Sequence, residues 1–193
     1  MSKSQPAKKP DIKAEIKKEA KQLAAYQALI QRSLVVFKPD AVQRGIVGEI
    51  LTRFERVGLK IVGTKMLCPD QAHYHHHYEK IGKMVTRRGE DVFHMNLNYM
   101  SKGPVIAIVF EGIEAVELIR KIVGSTEPKT ADMGTIRGDF SHMSFGYSNS
   151  KKIGIPNLIH ASGSVEEAEQ EINHWFIPEE LYDYEHADEK FTR

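Results

Sequence analysis

An α+β domain, a sheet with helices packed on it, is the fold this sequence predicts, and three observations carry the prediction. Short apolar runs recur at Ser33–Lys38, Lys60–Cys68 and Pro104–Phe110, each bounded by turn residues. Stretches with apolar residues at helical spacing lie between and after them. A last apolar run, Asn157 to Ala161, passes at once into a small-residue turn and a helix start.

Residues 1–32 read differently from the rest. Met1 to Pro10 is polar, with Pro6 and Pro10, and predicts disorder. Asp11 can cap a helix carrying Ile12, Ile16, Leu23, Tyr26, Leu29 and Ile30 on a loose stripe, with lysines opposite. Such an extension packs on the body or a neighbouring subunit, or docks a partner.

The body, residues 33–193, reads as one domain. Its first strand, Ser33–Lys38, is ended by Pro39. Gly45 precedes a helix with Val47, Ile50, Leu51 and Phe54 at helical spacing, stopped near Gly58. Lys60–Cys68 is the second strand. Residues 70–102 are mostly helical but broken around Arg87-Arg88-Gly89, and Pro104–Phe110 is a buried strand. Ala115, Leu118, Ile119 and Ile122 mark another amphipathic helix ending at Gly124, followed by a long irregular stretch. The strand bearing His160 comes last. Ser164 and Glu167 then have capping-box spacing, and Val165, Ala168, Ile172 and Trp175 form one stripe, with Glu171 at its edge. This order is that of a ferredoxin-like βαββαβ sandwich: an antiparallel four-stranded sheet with helices on one face.

Composition narrows the function classes. A chain of 193 residues, 41% hydrophobic and 27% charged, is an ordinary globular protein. The formal net charge of +1 gives no global reason to expect nucleic acid or an anionic membrane. Cys68 is the single cysteine, so no internal disulfide is possible, which suits a reducing compartment and makes cytoplasm the default. No apolar run approaches a membrane span, and no apolar signal core follows the basic N-terminus.

No Gly-x-Gly-x-x-Gly follows a strand, and no Gly-x-x-x-x-Gly-Lys-Ser/Thr occurs. Cations nevertheless stand where they could bind phosphate: Lys38 at the end of the first strand, Arg120 near the end of a helix, and Arg137 between glycines in Gly134-Thr-Ile-Arg-Gly-Asp139. Thr126 adds a neutral donor. Arg44, Asp40 and Asp139 read as structural. His160 falls at a strand end beside a helix N-terminus, with Glu171 able to face back toward its ring and fix its tautomer. In His73-Tyr-His-His-His77, adjacent histidines on a helix point in different directions. That run therefore reads as exposed helix surface, and no metal site is predicted.

Taken together, Lys38-Pro-Asp-Ala-Val-Gln-Arg-Gly45, Gly134-Thr-Ile-Arg-Gly-Asp-Phe140, Asn157-Leu-Ile-His-Ala-Ser162 and Trp175-Phe-Ile-Pro-Glu-Glu-Leu181 resemble, in this order, the motifs of nucleoside diphosphate kinases. The resemblance covers roughly residues 32–184. It implies a ferredoxin-like fold, assembly into homo-oligomers (a hexamer or a tetramer of dimers), and transfer of the γ-phosphate of ATP or another nucleoside triphosphate to a diphosphate through a phosphohistidine. By that resemblance His160 is the nucleophile, Glu171 its orienting partner, and Lys38 and Asn157 the ribose contacts, with Lys38 also on the transferring phosphate. Arg120, Thr126 and Arg137 correspond to the phosphate clamp. Tyr78, with Tyr74 as rival, matches a phosphate-contacting tyrosine, and Phe93 is the nearest candidate for the base-stacking aromatic. Mg²⁺ is implied, bridging the nucleotide phosphates largely through water.

The match has departures. Ala41 and Ala161 stand for frequent glycines, Gly163 for a frequent aspartate, and Met133 for a proline. The usual Thr-Asn-Pro is Thr126-Glu127-Pro128, placing a carboxylate beside the proposed clamp, either turned to solvent or weakening anion affinity. Two regions exceed the family core, near residues 79–92 and 141–156. The second is expected either as a surface loop or as a segment that folds over the nucleotide and presents Phe145 or Tyr147. The alternative to an enzyme is a catalytically inactive nucleotide-binding or scaffolding protein on the same fold. An RNA-recognition module is rejected, because Ser144-Phe-Gly-Tyr147 is only a fragment of its motif and no basic bias supports it.

Overall fold

The computed structural model describes residues 12–187 and 189–192. The expected disorder of Met1–Pro10 and the Asp11 cap lie outside the described residues, as do the side chains of Ile12 and Ile16.

In chain order, α1 (Ile12–Leu29) runs directly into β1 (Ile30–Phe37). The short α2 (Pro39–Gln43), then α3 (Val47–Glu55) and β2 (Lys60–Leu67) follow. α4 (Gln71–His75) continues into a π-helical turn (His76–Ile81), and α5 (Met84–Arg88) and α6 (Glu90–Met100) complete the helical insertion. β3 (Val105–Ile113), α7 (Ala115–Val123), α8 (Ile136–Phe140), α9 (Phe145–Ser150), β4 (Ile159–Ala161) and α10 (Val165–Trp175) end the body. The four strands form one sheet in the order β2-β3-β1-β4, every pairing antiparallel, as the βαββαβ reading requires.

The run Leu34-Val-Val-Phe37 decides how the layers stack, because all of its side chains are buried. Alternation along β1 sends Leu34 and Val36 to one face and Val35 and Phe37 to the other. On the first face they meet Tyr74, Leu97, Ile172 and Trp175, from the insertion and α10. On the second they meet Ile50, Phe54, Ile119 and Val123, from α3 and α7. Helices therefore cover both faces, not the single face expected. The continuous apolar run, rather than an alternating one, is the mark of a strand buried on both sides.

Strand lengths also differ from expectation. β1 begins at Ile30, paired with Ile113, so Ile30 belongs to the sheet and not to the helical stripe, and β3 runs past Phe110. Backbone pairing continues beyond the apolar residues there, with Arg32 donating to Glu111 across the strands at 2.8 Å. On α1, Leu23, Tyr26 and Leu29 remain exposed.

The caps follow the sequence signals. Ser164 Oγ accepts from Glu167 N–H at 3.2 Å, while the Glu167 carboxylate accepts from Gly163 N–H at 2.8 Å, one residue before the reciprocal capping-box position. Gly89, at φ +88°, separates α5 from α6 as the Arg-Arg-Gly signal predicted. Ile119→Ala, inside the second core, should lower the urea unfolding free energy by about 2–5 kcal/mol. Leu23→Ala on the exposed face of α1 should change it by less than about 0.5 kcal/mol.

Candidate active site

The site is built on the entry to β4. Leu158 takes φ +70°, and Ile159 N–H donates to Asn157 O at 2.8 Å, closing a three-residue turn of the strained kind. Neighbours hold it: Leu158 N–H donates to Asp40 Oδ2 at 3.0 Å, and Lys38 N–H donates to Leu158 O at 2.9 Å. Arg137 braces the same turn. Its Nε donates to Asn157 O at 3.2 Å, Nη1 to Gly124 O at 2.9 Å and Nη2 to Ile159 O at 2.6 Å. A guanidinium has five N–H groups, so two remain for a ligand.

The polar side chains that sequence reasoning singled out converge here. Lys38 Nζ donates to Asn157 Oδ1 at 2.8 Å, and Asn157 Nδ2 donates to Thr126 O at 2.8 Å. Arg120 reaches the same wall, its Nη1 3.5 Å from Ser162 O. Behind them His160 Nε2 lies 2.8 Å from Glu171 Oε1, and the other carboxylate oxygen accepts from the Ser162 hydroxyl at 2.7 Å. Ser162 in turn accepts from Leu34 N–H at 3.1 Å, tying the carboxylate to the centre of the sheet.

Two members of this cluster escaped the sequence reading. Ser162 stands two residues beyond His160, so strand alternation puts it on the same side. His77 was expected on an exposed helix surface, yet it is 1% exposed. Its ring lies 4.5 Å from that of His160 at 80°, and Trp175 Nε1–H donates to its Nδ1 at 3.1 Å. His77 and Tyr78 stand three and four residues after the buried Tyr74, so one helix face carries all three inward. His77, His160 and Glu171 bring potential ligand atoms within 4.8 Å of one another. Hydrogen bonds already use them, since Trp175 Nε1–H donates to His77 Nδ1 and His160 Nε2–H donates to Glu171.

Burial governs the charges. It holds both imidazoles well below the ordinary range; nearby Lys38, Arg137 and Arg120 push His160 further down, and His160 does the same to His77. Both rings are thus neutral at neutral pH, and their contacts with Glu171 are hydrogen-bonding and dipolar rather than ion pairs. Burial raises the Glu171 carboxyl, opposed by His77 and the Ser162 hydrogen bond. Accepting two donors suits the carboxylate form, so His160 carries its proton on Nε2 and keeps a lone pair on Nδ1. Lys38 is lowered to about 8, first by burial and then by Arg137, with Asp40 opposing. Arg137 falls to about 10 through burial and Arg120, and remains charged.

These groups open on a cavity of about 440 Å³. Lys38, Tyr78, Arg120, Arg137, Asn157 and His160 line it together with Thr126. The buried Tyr78 hydroxyl lies beside the Asn96 amide. Burial pushes that phenol up, partly opposed by the neighbouring Asn96 amide. Tyr74, its rival, is fully buried and does not line the cavity. Three helices add to the wall, each with an i, i+3, i+4 face: Met84, Arg87 and Arg88; Val92, Met95 and Asn96; Phe145, Ser148 and Asn149. Phe93 is not there. One position along α6 from Val92, it turns into the core and meets the His75 ring at 5.4 Å. Tyr147 points away from the cavity and is 52% exposed.

A family model described as nucleoside diphosphate kinase matches residues 31–181. The chain belongs to the nucleoside diphosphate kinase family. Among relatives of that name, one from Borreliella burgdorferi is 47% identical over 163 residues, covering 83% of this chain and 96% of its own. One from Pyrococcus furiosus is 46% identical over 164 residues, 85% of this chain and 94% of the relative. The solved structure of a transition-state mimic of the Borrelia burgdorferi kinase, with bound vanadate and ADP, superposes with a TM-score of 0.81 at 46% identity, covering 84% and 96%. A Halobacterium salinarum kinase in complex with CDP gives 0.72 at 34% identity, covering 84% and 98%. The match to the nucleoside diphosphate kinase family model takes in β1 through the tail after α10 and leaves α1 outside.

The depressed Lys38 pKa has a thermodynamic consequence. Between about pH 8 and 10.5 the empty site holds Lys38 largely neutral, and bound phosphates favour its protonated form. Binding of ADP at pH 9 should therefore take up a proton, up to about one per nucleotide, with the uptake vanishing toward pH 7. Calorimetry in two buffers of different ionisation enthalpy measures it, and Lys38→Met should abolish it.

Proposed function

We propose that this chain moves the γ-phosphoryl group of ATP, or another nucleoside triphosphate, to a nucleoside diphosphate by way of phosphate carried on His160 Nδ1. One observation carries the reading: Nε2 is committed to Glu171, leaving the Nδ1 lone pair for a cavity whose wall bears Lys38, Arg120, Thr126 and Arg137. In the first half-reaction Nδ1 attacks the γ-phosphorus and the bond to the β-phosphate oxygen breaks, releasing the diphosphate. In the second, a diphosphate oxygen attacks the same phosphorus and the P–N bond breaks, restoring the free imidazole. Phosphoryl transfer asks chiefly for in-line placement and charge stabilisation. Lys38 and the two arginines supply the charge. Glu171, accepting from Nε2–H, stabilises the imidazolium character that develops as Nδ1 is phosphorylated.

Mg²⁺ belongs with the substrate in this scheme. Glu171, the carboxylate against the reacting imidazole, is already engaged by His160 and Ser162. The nucleotide phosphates are then the ion's natural ligands. Lys38 and Asn157 would contact the ribose, and Arg120, Thr126, Arg137 and Tyr78 the phosphates. We also take residues 33–193 as the catalytic unit and the assembly as a homo-oligomer. Family membership and exposed apolar residues such as Leu23, Tyr26 and Ile177 support that assembly.

Incubation with γ-labelled ATP and Mg²⁺ should give an acid-labile, base-stable phosphoprotein whose label passes to GTP when GDP is added. His160→Ala should take no label. Wild-type protein that binds ADP yet takes none would instead be a nucleotide-binding protein without the chemistry.

A further inference from the structure

Segment 141–156 has no part in the transfer chemistry, yet it is built into the cavity wall, and Glu127 holds it there from outside that wall. Glu127 Oε1 accepts from Phe145 N–H at 2.8 Å, holding the first turn of α9. Lys129 N–H donates to Met143 O at 2.9 Å, and Ser144 Oγ accepts from Tyr147 N–H at 3.2 Å. The far end is fixed as well. Gly154 lies so close to α6 that a Cβ there would meet Tyr99 Cβ at 2.7 Å and Met95 O at 2.8 Å. The segment is thus pinned at both ends, and Phe145, Ser148 and Asn149 face the cavity from one side of one helix.

We propose that α9 is the base-side wall of the site, with Phe145 as the stacking face, Asn149 as the group that meets the polar edge of the base, and Glu127 as the positioning residue that holds the wall in place. The proposal rests on the nucleotide reading above and adds to it the part of the ligand that phosphate contacts leave undetermined. A flat heterocycle fits the chemistry of this wall. The Phe145 ring already receives a flat, delocalised group, the exposed Arg88 guanidinium, whose Cζ lies 5.9 Å from the ring centroid. A base stacking on Phe145 takes that place. Asn149 offers both an amide donor and an acceptor, as a base edge requires. Ser148 Oγ, buried behind them on the same face, has no hydrogen-bond partner among the described residues. Position ties the wall to the phosphate end: Glu127 follows Thr126 directly, so one short segment sets both the distance to the phosphates and the placement of α9.

The test compares Mg²⁺-ADP with Mg²⁺-ribose 5-diphosphate, which lacks the base, by calorimetry on the full chain. Stacking on one aromatic makes ADP the tighter ligand for wild type by about tenfold or more. Phe145→Ala and Glu127→Ala should each weaken ADP by about tenfold while leaving ribose 5-diphosphate within about twofold. Glu127→Gln keeps an acceptor for Phe145 N–H and should bind ADP like wild type. Asn149→Ala should weaken ADP by about three- to tenfold with the same indifference to the abasic ligand. ADP affinity unchanged in all four variants, or equal losses for both ligands, overturns the base wall and leaves the nucleotide reading standing. Wild type that binds neither ligand overturns both.

Discussion

A guanidinium buried against three backbone carbonyls is what the rest of the site hangs on. β4 is only three residues long, and ladder pairing with β1 alone gives it little purchase. Arg137 joins Gly124, Asn157 and Ile159, which are the end of α7, the strained turn and the first residue of β4. Hydrogen bonds to a charged group are worth about 1.5–3 kcal/mol each, enough to hold Leu158 at its positive φ. His160 is the next residue but one. Its ring position is therefore set by a charge that also lies in the cavity wall, so the structural and electrostatic roles of Arg137 cannot be separated.

That arrangement is costly while the site is empty. Lys38 and Arg137 are both buried, Arg137 lowers the proton affinity of Lys38, and Asp40, which opposes both shifts, has one oxygen tied to Leu158 N–H. Neutral His160 sits in the same field. An anion entering the cavity supplies the missing charge, and the donors need not reorganise to meet it. Glu171 is kept from serving as that counter-charge by its location behind the imidazole, where Ser162 and His160 hold it. The field that repels a proton from His160 thus attracts phosphate to it.

Much of this was legible in the chain. Strand and helix order, the Ser164 cap and the Gly89 break follow from spacing and from small or capping residues, which act locally. Lys38, Arg120, Thr126, Arg137, Asn157, His160 and Glu171 were read from motifs, and the fold brings them to one cavity. What was misread depends on non-local geometry. His77 looked like one of several surface histidines; it shares a helix face with Tyr74 and Tyr78, and only the packing of Trp175 from α10 shows that this face is buried. Phe93 was chosen as the nearest aromatic in a region of altered length, and a shift of one helix position sends it to the core instead. Cover on both sheet faces was present in the unbroken apolar run of β1, but strand–helix order does not say on which face each helix lands.

Glu127 shows why a departure from a motif is better judged with its neighbours than alone. Beside a phosphate clamp, an extra carboxylate reads as a liability or as a solvent-facing accident. In three dimensions it is half-buried, and Phe145 N–H takes one of its oxygens. An uncharged N–H at the start of α9 is among the groups a helix cannot satisfy for itself, and a carboxylate is the strongest acceptor available for it. The added segment creates that need, and the substituted residue meets it. Two departures that look independent along the chain, eighteen residues apart, are therefore one structural feature, and it lies where the Thr126 segment and the outer wall of the cavity meet.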